Sequence, residues 1–435
     1  MIYGKGKPFY MFCTGCCGFS RVLPYFCTHI HAFPLVTVNG RHACAKQTFN
    51  ITCRKAFNLK TNYIMWMIMF LILPLAGLTY VLWHVWCILP FANTVKCTVL
   101  AVCILLFSAT FLNFSHVTER IPLRLAQACY EVGTSTVFVL LYLVMMFLLL
   151  DVARLTHIIP RSWLYSNGYA ALAVAVVTAV IFAGGYANYM HKRRHTADMP
   201  AAKTVTRDIK VVMMSDLHLG YHNRRTELAR WVDIINGEQP DLVLIAGDIV
   251  DGSLRPIEEE GMAEEMRRIK APVYACPGNH EYYAGIDASM RFYREAGITL
   301  LRDSVAVAGD ITIVGRDDRA NPHRKSIGAL MRGVDKSKYI ILLDHQPYHL
   351  EQAEHAGVDF QLSGHTHHGQ LWPISWITDA IYEDAYGPWR RGNTRYYVSS
   401  GMGIWGGKFR IGTCSEYVVG TIHAEKKTAG HVAAE

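Results

Sequence analysis

Four long apolar segments in the N-terminal half constrain this chain more than any other feature. They run roughly from 63 to 89, 95 to 114, 134 to 150 with some extension, and 169 to 187. At 1.5 Å per residue, helices of this length can cover the roughly 30 Å hydrocarbon core of a bilayer. Four such segments with short polar breaks are hard to bury in a soluble core, so we predict about four transmembrane helices within 63–190. The alternatives are buried core helices and, for the first segment, a signal peptide.

The charges around these segments predict the orientation of the chain. Residues 1 to 118 contain nine Lys or Arg and no Asp or Glu, and the remainder has 34 basic against 35 acidic residues. A basic balance confined to one end is typical of topology signals or of contact with anionic lipids, so no nucleic-acid partner is predicted. An even number of spans with basic residues at both ends places the C-terminal domain in the cytoplasm.

The first 62 residues form a basic, cysteine-rich leader. Cys13 and Cys16 have the C-x2-C spacing of zinc sites, but the second half of a zinc pattern is missing. The alternatives are a disordered leader, or a leader outside the native protein, which would then begin near Met65. A basic linker is expected at 191–207, and a tail at 425–435.

The character of the chain changes after residue 208. The segments "IKVVMMS", "DLVLIAG" and "PVYAC" are separated by helical patterns, which predicts strands and helices alternating around a largely parallel sheet. Later strand patterns such as "ITIVGR", "KYIILLDH" and "RYYVSSG" have less helix between them and indicate a second sheet packed on the first. We therefore predict an α/β domain over 208–424.

Side chains with metal-binding chemistry follow five of the predicted strands. They occur in "SDLHLG", "GDIVDG", "GNHE", "DHQP" and "LSGHTHHGQ". Ligands of α/β sheets gather beyond the carboxyl ends of the strands, so these side chains are expected to converge. The side chains there are Asp216, His218, Asp248, Asp251, Asn279, His280, His345, His365 and His367, of which two Asp, one Asn and four His are expected to be metal ligands.

The donor types indicate the kind of metal. Imidazoles combined with carboxylate and amide oxygens suit Mn, Fe, Zn or Co and are too rich in nitrogen for Mg or Ca alone. Seven ligands exceed one tetrahedral site, but with one bridging aspartate they supply four ligands to each of two ions. Residues two apart in extended backbone point the same way, as expected for His365 and His367. By the same alternation His368 should point elsewhere; contact with substrate is the alternative.

Together the five motifs resemble the calcineurin-like metallophosphoesterases. The placement of the domain after several apolar segments is similar to the membrane-anchored bacterial branch of that superfamily. The resemblance covers 208 to about 423 and does not extend to the leader or the spans. It implies a two-sheet β-sandwich flanked by helices, two divalent metal ions, and a multi-pass protein of the bacterial inner (cytoplasmic) membrane.

The resemblance also implies a role for each candidate residue. The first ion would be held by Asp216, His218 and His367, and the second by Asn279, His345 and His365, with Asp248 bridging. A metal-bridging hydroxide would attack phosphorus in line. His280 would be the general acid or electrostatic donor beside the leaving-group oxygen, oriented by Asp251. A carboxylate there would fix the imidazole tautomer and raise its pKa.

Two positions depart from the pattern or stay open. Gly252 stands where protein Ser/Thr phosphatases of the superfamily have an arginine that grips phosphate, which counts against a protein phosphatase. Asp344 precedes His345 and either orients it or caps the strand end.

The predicted function is hydrolysis of phosphodiester, phosphomonoester or pyrophosphate bonds. The substrate is either a lipid-linked phosphate, such as a nucleotide-activated glycolipid precursor, or a soluble nucleotide or phosphodiester. Membrane lipids are the other expected partners. A non-catalytic membrane sensor or scaffold predicts a missing ligand, and none of the seven is missing. One set of residues either lines an apolar cleft with a cationic rim or consists of ordinary core and interface residues: Tyr282, Tyr283, Trp372, Trp376, Trp389, Trp405, Arg390 and Arg391.

Overall fold

The computed structural model describes residues 71 to 199, apart from 114 and 116, and residues 205 to 424. The predicted leader, the tail and the first part of the first apolar segment lie outside these residues. The described chain consists of a helical bundle followed by an α/β domain.

The bundle contains four helices: α1 (Leu73–Ile88), α2 (Asn93–Leu112), α3 (Leu123–Leu155) and α4 (Gly168–Met190). Among the described residues, α2, α3 and α4 are long and apolar enough to cross a membrane. The helix α1 has 16 residues, which span about 24 Å. Most side chains of α2 and α4 are exposed, as they must be if these helices face lipid, whereas most of α3 is half-buried or buried. The region predicted to hold about four transmembrane helices therefore contains, among the described residues, three helices of spanning length and one shorter apolar helix.

Helix α3 is longer than a bilayer requires. Its 33 residues extend about 50 Å, roughly 20 Å more than the hydrocarbon core. The N-terminal turns contact the α/β domain: Gln127 Nε2 donates to Glu260 Oε1 (2.5 Å), and Glu131 pairs with Arg224 (2.8 Å). One helix of the apolar bundle therefore extends to the domain that carries the candidate site.

Within the described residues, twelve strands form two six-stranded sheets. The strands are β1 (Lys192–Met199), β2 (Ile209–Met214), β3 (Leu242–Ala246), β4 (Val273–Cys276), β5 (Thr299–Leu300), β6 (Ser304–Ala308), β7 (Ile311–Gly315), β8 (Tyr339–Leu343), β9 (Phe360–Ser363), β10 (Gly387–Arg391), β11 (Thr394–Val398) and β12 (Ser415–Ile422). Their order is β1-β12-β2-β3-β4-β5 in the first sheet and β10-β11-β9-β8-β7-β6 in the second. The central strands β2, β3 and β4 are parallel to one another, as are β7, β8, β9 and β11.

The sheets pack face to face, with helices on their outer faces. These helices are α5 (Arg225–Gly237), α6 (Arg255–Glu259), α7 (Met262–Met266), α8 (Asn279–Tyr283), α9 (Ile286–Glu295), α10 (Ile327–Leu330), α11 (Glu351–Ala356) and α12 (Ile374–Ile381). In β2, Val211 and Met213 face the second sheet, whereas Val212 and Met214 face the outer helices. Successive strand residues point to opposite faces, so both faces of this strand are apolar. The predicted α/β domain with two packed sheets is confirmed.

The segment predicted as a basic linker at 191–207 begins instead with a strand. β1 is parallel to β12 and lies at the edge of the first sheet, with Lys192 opposite Ser415 and Met199 opposite Ile422. Its apolar residues Ala197 and Met199 are buried in the core between the sheets. The charged side chains at the start of β1 made this segment look like a linker in the sequence. They suit an edge strand, because charges there discourage pairing with another chain.

Candidate metal centre and active site

All seven candidate ligands follow the carboxyl ends of neighbouring parallel strands. Asp216 and His218 follow β2, Asp248 follows β3, and Asn279 follows β4 of the first sheet. The second sheet contributes His345 after β8, and both His365 and His367 after β9. Because the two sheets are packed face to face, the loops from both meet at one edge of the sandwich. The predicted convergence of these side chains is present in the structure.

The first group of donors is Asp216, His218 and His367. The Nε2 atoms of His218 and His367 lie 3.0 Å apart, and Asp216 Oδ1 is 3.5 Å from His367 Nε2. Asp216 and His218 are fully buried. Three donors aimed at one point, two of them imidazole nitrogens facing each other, suit a cation that accepts both lone pairs.

The second group is Asp248, His345 and His365, with Asn279 beside it. His345 Nε2 lies 3.1 Å from Asp248 Oδ2 and 3.2 Å from Asn279 Oδ1. The same Oδ2 atom of Asp248 is 3.7 Å from Nε2 of His218 in the first group. Asp248 therefore lies between the two groups, where a bridging carboxylate would be needed.

The protonation of the imidazoles fits metal binding. Burial, together with the positive charge of His345, lowers the pKa of His365 to about 3. Burial and the neighbouring His218 hold the pKa of His367 well below its usual range. His345 differs: burial lowers its pKa, but the carboxylates of Asp248 and Asp216 outweigh burial and raise it well above the usual value. A bound cation would face the same carboxylates and would take the place of that proton.

The backbone at the site is strained, and this corrects the expectation of extended alternation. The φ angles are 54° at Asp216, 45° at His218, 51° at Asp248, 72° at His365 and 49° at His367. Positive φ is uncommon for residues other than glycine and is tolerated where the surroundings enforce it. These side chains therefore reach their places through left-handed turns, not through strand alternation.

Two glycines allow the loops to approach closely. A Cβ atom on Gly278 would lie 2.1 Å from Asp248 Oδ1, and one on Gly364 would lie 2.3 Å from Asp216 Oδ2. Any side chain at these positions would displace a carboxylate of one of the two groups. The glycines next to Asn279 and His365 thus serve the packing of the site.

The predicted pair of His280 and Asp251 is also in place. His280 Nδ1 lies 3.2 Å from Asp251 Oδ1 and 3.2 Å from the Asp251 carbonyl oxygen. Burial lowers the pKa of His280, but the charge of Asp248 and the bond to Asp251 outweigh it and raise the pKa to about 9. Asp251 Oδ1 is also 3.1 Å from Nδ1 of His218, so one carboxylate orients a candidate ligand and the candidate acid.

Three supporting residues escaped the sequence analysis. Tyr130, on α3, donates from its hydroxyl to Asp251 Oδ2 (2.7 Å). The buried carboxylate of Glu281 accepts four backbone N–H groups, from Asp248, Ile249, Val250 and Gly278, at 2.7 to 3.1 Å. The buried guanidinium of Arg410 donates to the His367 carbonyl oxygen (2.7 Å) and to three further carbonyl oxygens. Glu281 follows His280 in "GNHE", so a signal was present there; Tyr130 and Arg410 are far away in sequence and had none.

Asp344 and His368, whose roles the sequence left undecided, contact residues outside the two donor groups. The carboxylate of Asp344 accepts from Arg316 (3.0 Å) and Arg324 (3.2 Å), whereas His345 Nδ1 lies 2.7 Å from the Ala246 carbonyl oxygen. The described partners of the Asp344 carboxylate are these two arginines, so Asp344 does not orient His345 by a direct hydrogen bond. The His368 ring stacks on Tyr386, with 4.6 Å between ring centroids, and Nε2 lies 3.3 Å from Asp379.

A cleft of about 310 Å³ runs beside both groups of donors. The residues that line it include Asp248, Asn279, His280, His365 and His367 at one end and Phe138, Leu371, Ile374, Thr378 and Trp405 at the other. Of the predicted aromatic set, Trp405 lines this cleft. Trp389 instead packs on Tyr396, and Arg391 pairs with Glu354 and Glu383. The cationic rim expected from Arg390 and Arg391 is therefore absent from the described lining.

The fold and this donor set define a class of metal-dependent phosphoesterases, and comparison with known proteins agrees. Residues 209–369 match the model of the calcineurin-like phosphoesterase family. An uncharacterized metallophosphoesterase of Aquifex aeolicus is 32% identical over 228 residues, which cover 49% of this chain and 85% of that protein. This chain belongs to the calcineurin-like metallophosphoesterase family.

Other proteins are similar at lower sequence identity. A transmembrane protein with metallophosphoesterase domain from Danio rerio is 29% identical over 55% of this chain and 60% of that protein. The crystal structure of a dimetal phosphatase from Danio rerio covers 50% of this chain and 93% of that one, with 12% identity and a TM-score of 0.32. In several of the curated relatives the shared segment spans only about three fifths of the protein, 58% and 60% in two of them.

Proposed function

We propose that this protein is a membrane-anchored phosphoesterase that binds two divalent metal ions. The observation that carries the proposal is the pair of donor groups that share Asp248. Asp216, His218 and His367 would hold one ion, and Asn279, His345 and His365 the other. Mn, Fe, Zn and Co match these donors, and the reaction would be hydrolysis of a phosphodiester, phosphomonoester or pyrophosphate bond.

Divalent ions bound there would neutralise charge on the phosphoryl oxygens and activate a water molecule as the nucleophile. The protein's own residues supply the proton for the leaving group. Both contacts of His280 Nδ1 are oxygen acceptors of Asp251, so the hydrogen on Nδ1 is held there. That leaves Nε2 to carry the proton that a leaving-group oxygen needs. Asp251 keeps the imidazole in this orientation.

Two adjacent histidines give a matched test of the metal centre. His367→Asn is expected to reduce bound metal from two ions to one per chain and to lower hydrolysis of a soluble chromogenic phosphodiester by at least ~100-fold. Residues that only orient ligands typically cost about 10–100-fold, and a lost ligand should cost more. Metal content by elemental analysis and initial rates are measured on the full-length protein.

His368→Asn, in the same turn, is the control and should keep both ions and the rate. A wild-type protein that binds metal but hydrolyses no phosphoester would favour the sensor or scaffold instead. Equal metal content in wild type and His367→Asn would contradict the ligand assignment.

The substrate that we favour is lipid-linked. Support comes from the apolar end of the cleft, where Phe138 belongs to the membrane helix α3. The alternative, a soluble nucleotide or phosphodiester, gives no reason for a membrane helix to form part of the cleft wall.

The catalytic domain lies on the cytoplasmic side of the bacterial inner membrane in this proposal. The domain joins the bundle at the start of α3 and the end of α4, which lie on one side, and Lys192, Arg193 and Arg194 directly follow α4. Basic residues mark the cytoplasmic side. Green fluorescent protein fused after residue 435 should therefore fluoresce in bacteria, and an alkaline phosphatase fusion there should be inactive. The reverse result would place the domain outside.

A further inference from the structure

The cleft beside the metal centre has two chemically different ends. One end is formed by the candidate ligands and His280; the other by Phe138, Leu371, Ile374, Thr378 and Trp405. A phosphate group needs only the first end. Hydrolysis of a phosphoester by itself does not explain what the apolar end of the cleft binds.

The apolar end is fastened to the membrane bundle. Phe138 of α3 packs in one apolar cluster with Tyr142, Phe182 of α4 and Leu371, and Ile374 packs against this cluster. The Tyr142 hydroxyl donates to the Trp372 carbonyl oxygen (2.6 Å). The loop that leads into α12 is therefore bound to α3 by both apolar packing and a hydrogen bond.

Helix α12 exposes large apolar side chains next to this junction. Trp376, Ile377 and Ile381 are 64%, 57% and 60% exposed, and Trp405 at the cleft wall is 45% exposed. An exposed apolar face with tryptophan that continues the surface of a membrane bundle is typical of a helix lying in the bilayer interface. The buried cluster that contains Phe138 holds α12 beside the bundle, so the exposed apolar side chains of α12 lie next to the helices of the bundle.

The length of α3 puts the cleft close to the bilayer surface. About 20 residues cross the hydrocarbon core, so counting back from Leu155 places the domain-side edge near residue 136, next to Phe138. Tyr130, which contacts Asp251, lies six residues before this edge, about 9 Å along the helix. By this measure Asp251 and the metal centre beside it lie about 9 Å beyond the edge of the hydrocarbon, at the depth of lipid headgroups.

We propose that the groove between α3 and α12 binds a hydrocarbon chain of the substrate, which reaches the metal centre sideways from the bilayer. This inference rests on the proposed function and names its substrate class: a phosphoester of a membrane lipid, whose chain stays against Phe138, Ile374 and Trp405 while its phosphorus lies between the metal ligands and His280. Each methylene buried against this groove strengthens binding, so chain length should control affinity.

The test uses two substrates with the same leaving group, ethyl p-nitrophenyl phosphate and dodecyl p-nitrophenyl phosphate. Full-length protein in lipid vesicles is assayed for p-nitrophenolate release. The wild type is expected to favour the dodecyl ester in kcat/KM by at least tenfold. Thr378→Trp, which fills the groove, should reduce this preference at least fivefold. Thr378→Ser keeps the small side chain and the hydroxyl that donates to Ser375, and should retain the preference.

Two outcomes would overturn the groove while leaving the phosphoesterase intact. One is equal kcat/KM for both esters in the wild type. The other is an unchanged preference in Thr378→Trp, which would mean that chain length acts only by partitioning the substrate into the vesicles. If the wild type hydrolyses neither ester, the proposed function fails and this inference fails with it. A second variant, Val307→Glu on β6, changes an exposed apolar residue outside the cleft lining and should leave the preference unchanged.

Discussion

The His280→Asn variant is expected to lose ~10²–10⁴ of kcat for phosphoesters with poor leaving groups and much less for p-nitrophenyl esters. The reason is that His280 would donate a proton to the leaving group. A poor leaving group must be protonated as it departs, whereas p-nitrophenolate leaves as a stable anion. Asparagine keeps a polar side chain of similar size but cannot act as an acid.

A series of ethyl aryl phosphates with leaving phenols of increasing pKa measures this effect directly. The plot of log kcat against leaving-group pKa should be steeper for His280→Asn than for the wild type. His349→Asn, an exposed histidine between β8 and α11, is the control and should leave the slope unchanged. A parallel line, with the same loss for every substrate, would assign His280 to binding and not to proton donation.

Asp248→Asn separates the metal centre from the acid in the same series. Its carboxylate lies between the two donor groups, 3.1 Å from His345 Nε2 and 3.7 Å from His218 Nε2. Removing this charge should weaken the binding of both ions. Substrates with good and with poor leaving groups should therefore be hydrolysed more slowly by the same factor.

Replacement of Glu281 by alanine is expected to have the largest effect on stability. Four backbone N–H groups in the loops after β3 and β4 donate to this buried carboxylate. A buried donor left without a partner costs about 1–3 kcal/mol, so Glu281→Ala should lower the free energy of unfolding by about 4 kcal/mol or more. The same loops hold Asp248 and Asn279, so bound metal should fall as well.

Unfolding of the detergent-solubilised protein in urea, followed by near-ultraviolet circular dichroism, measures this loss. Glu264→Ala is the matched control, because Glu264 is mostly exposed and its only described ion pair, to Arg225, is 3.7 Å long. Exposed pairs contribute at most about 1 kcal/mol. A loss below about 1 kcal/mol for Glu281→Ala would show that the loops keep their shape without the carboxylate.

Local patterns in the sequence were enough to predict the candidate ligands and the class of fold. Apolar segments such as "DLVLIAG" mark buried strands, and in parallel sheets the residues after such strands meet at one edge. Asp248 and His345 could therefore be placed together although 96 residues separate them. The spacing argument placed His365 and His367 at the candidate site, where the structure has them, but its reason was wrong, because the backbone there is left-handed and not extended.

Contacts between distant segments could not be predicted in this way. β1 carries the charges of a linker, and only pairing with β12 makes it a strand. Arg410 looks like an ordinary surface arginine until its guanidinium is seen buried among the carbonyl oxygens around His367.

The sequence by itself determined the apolar segments, the α/β class and the candidate metal-binding side chains, because each depends on the order of residues within a short stretch. Only the tertiary structure decided how the apolar bundle and the candidate site meet. Tyr130 reaches Asp251, and Phe138 reaches the cleft, because α3 has 33 residues and its N-terminal turns pack on the α/β domain. That packing depends on two surfaces brought together from distant parts of the chain, and no local pattern encodes it.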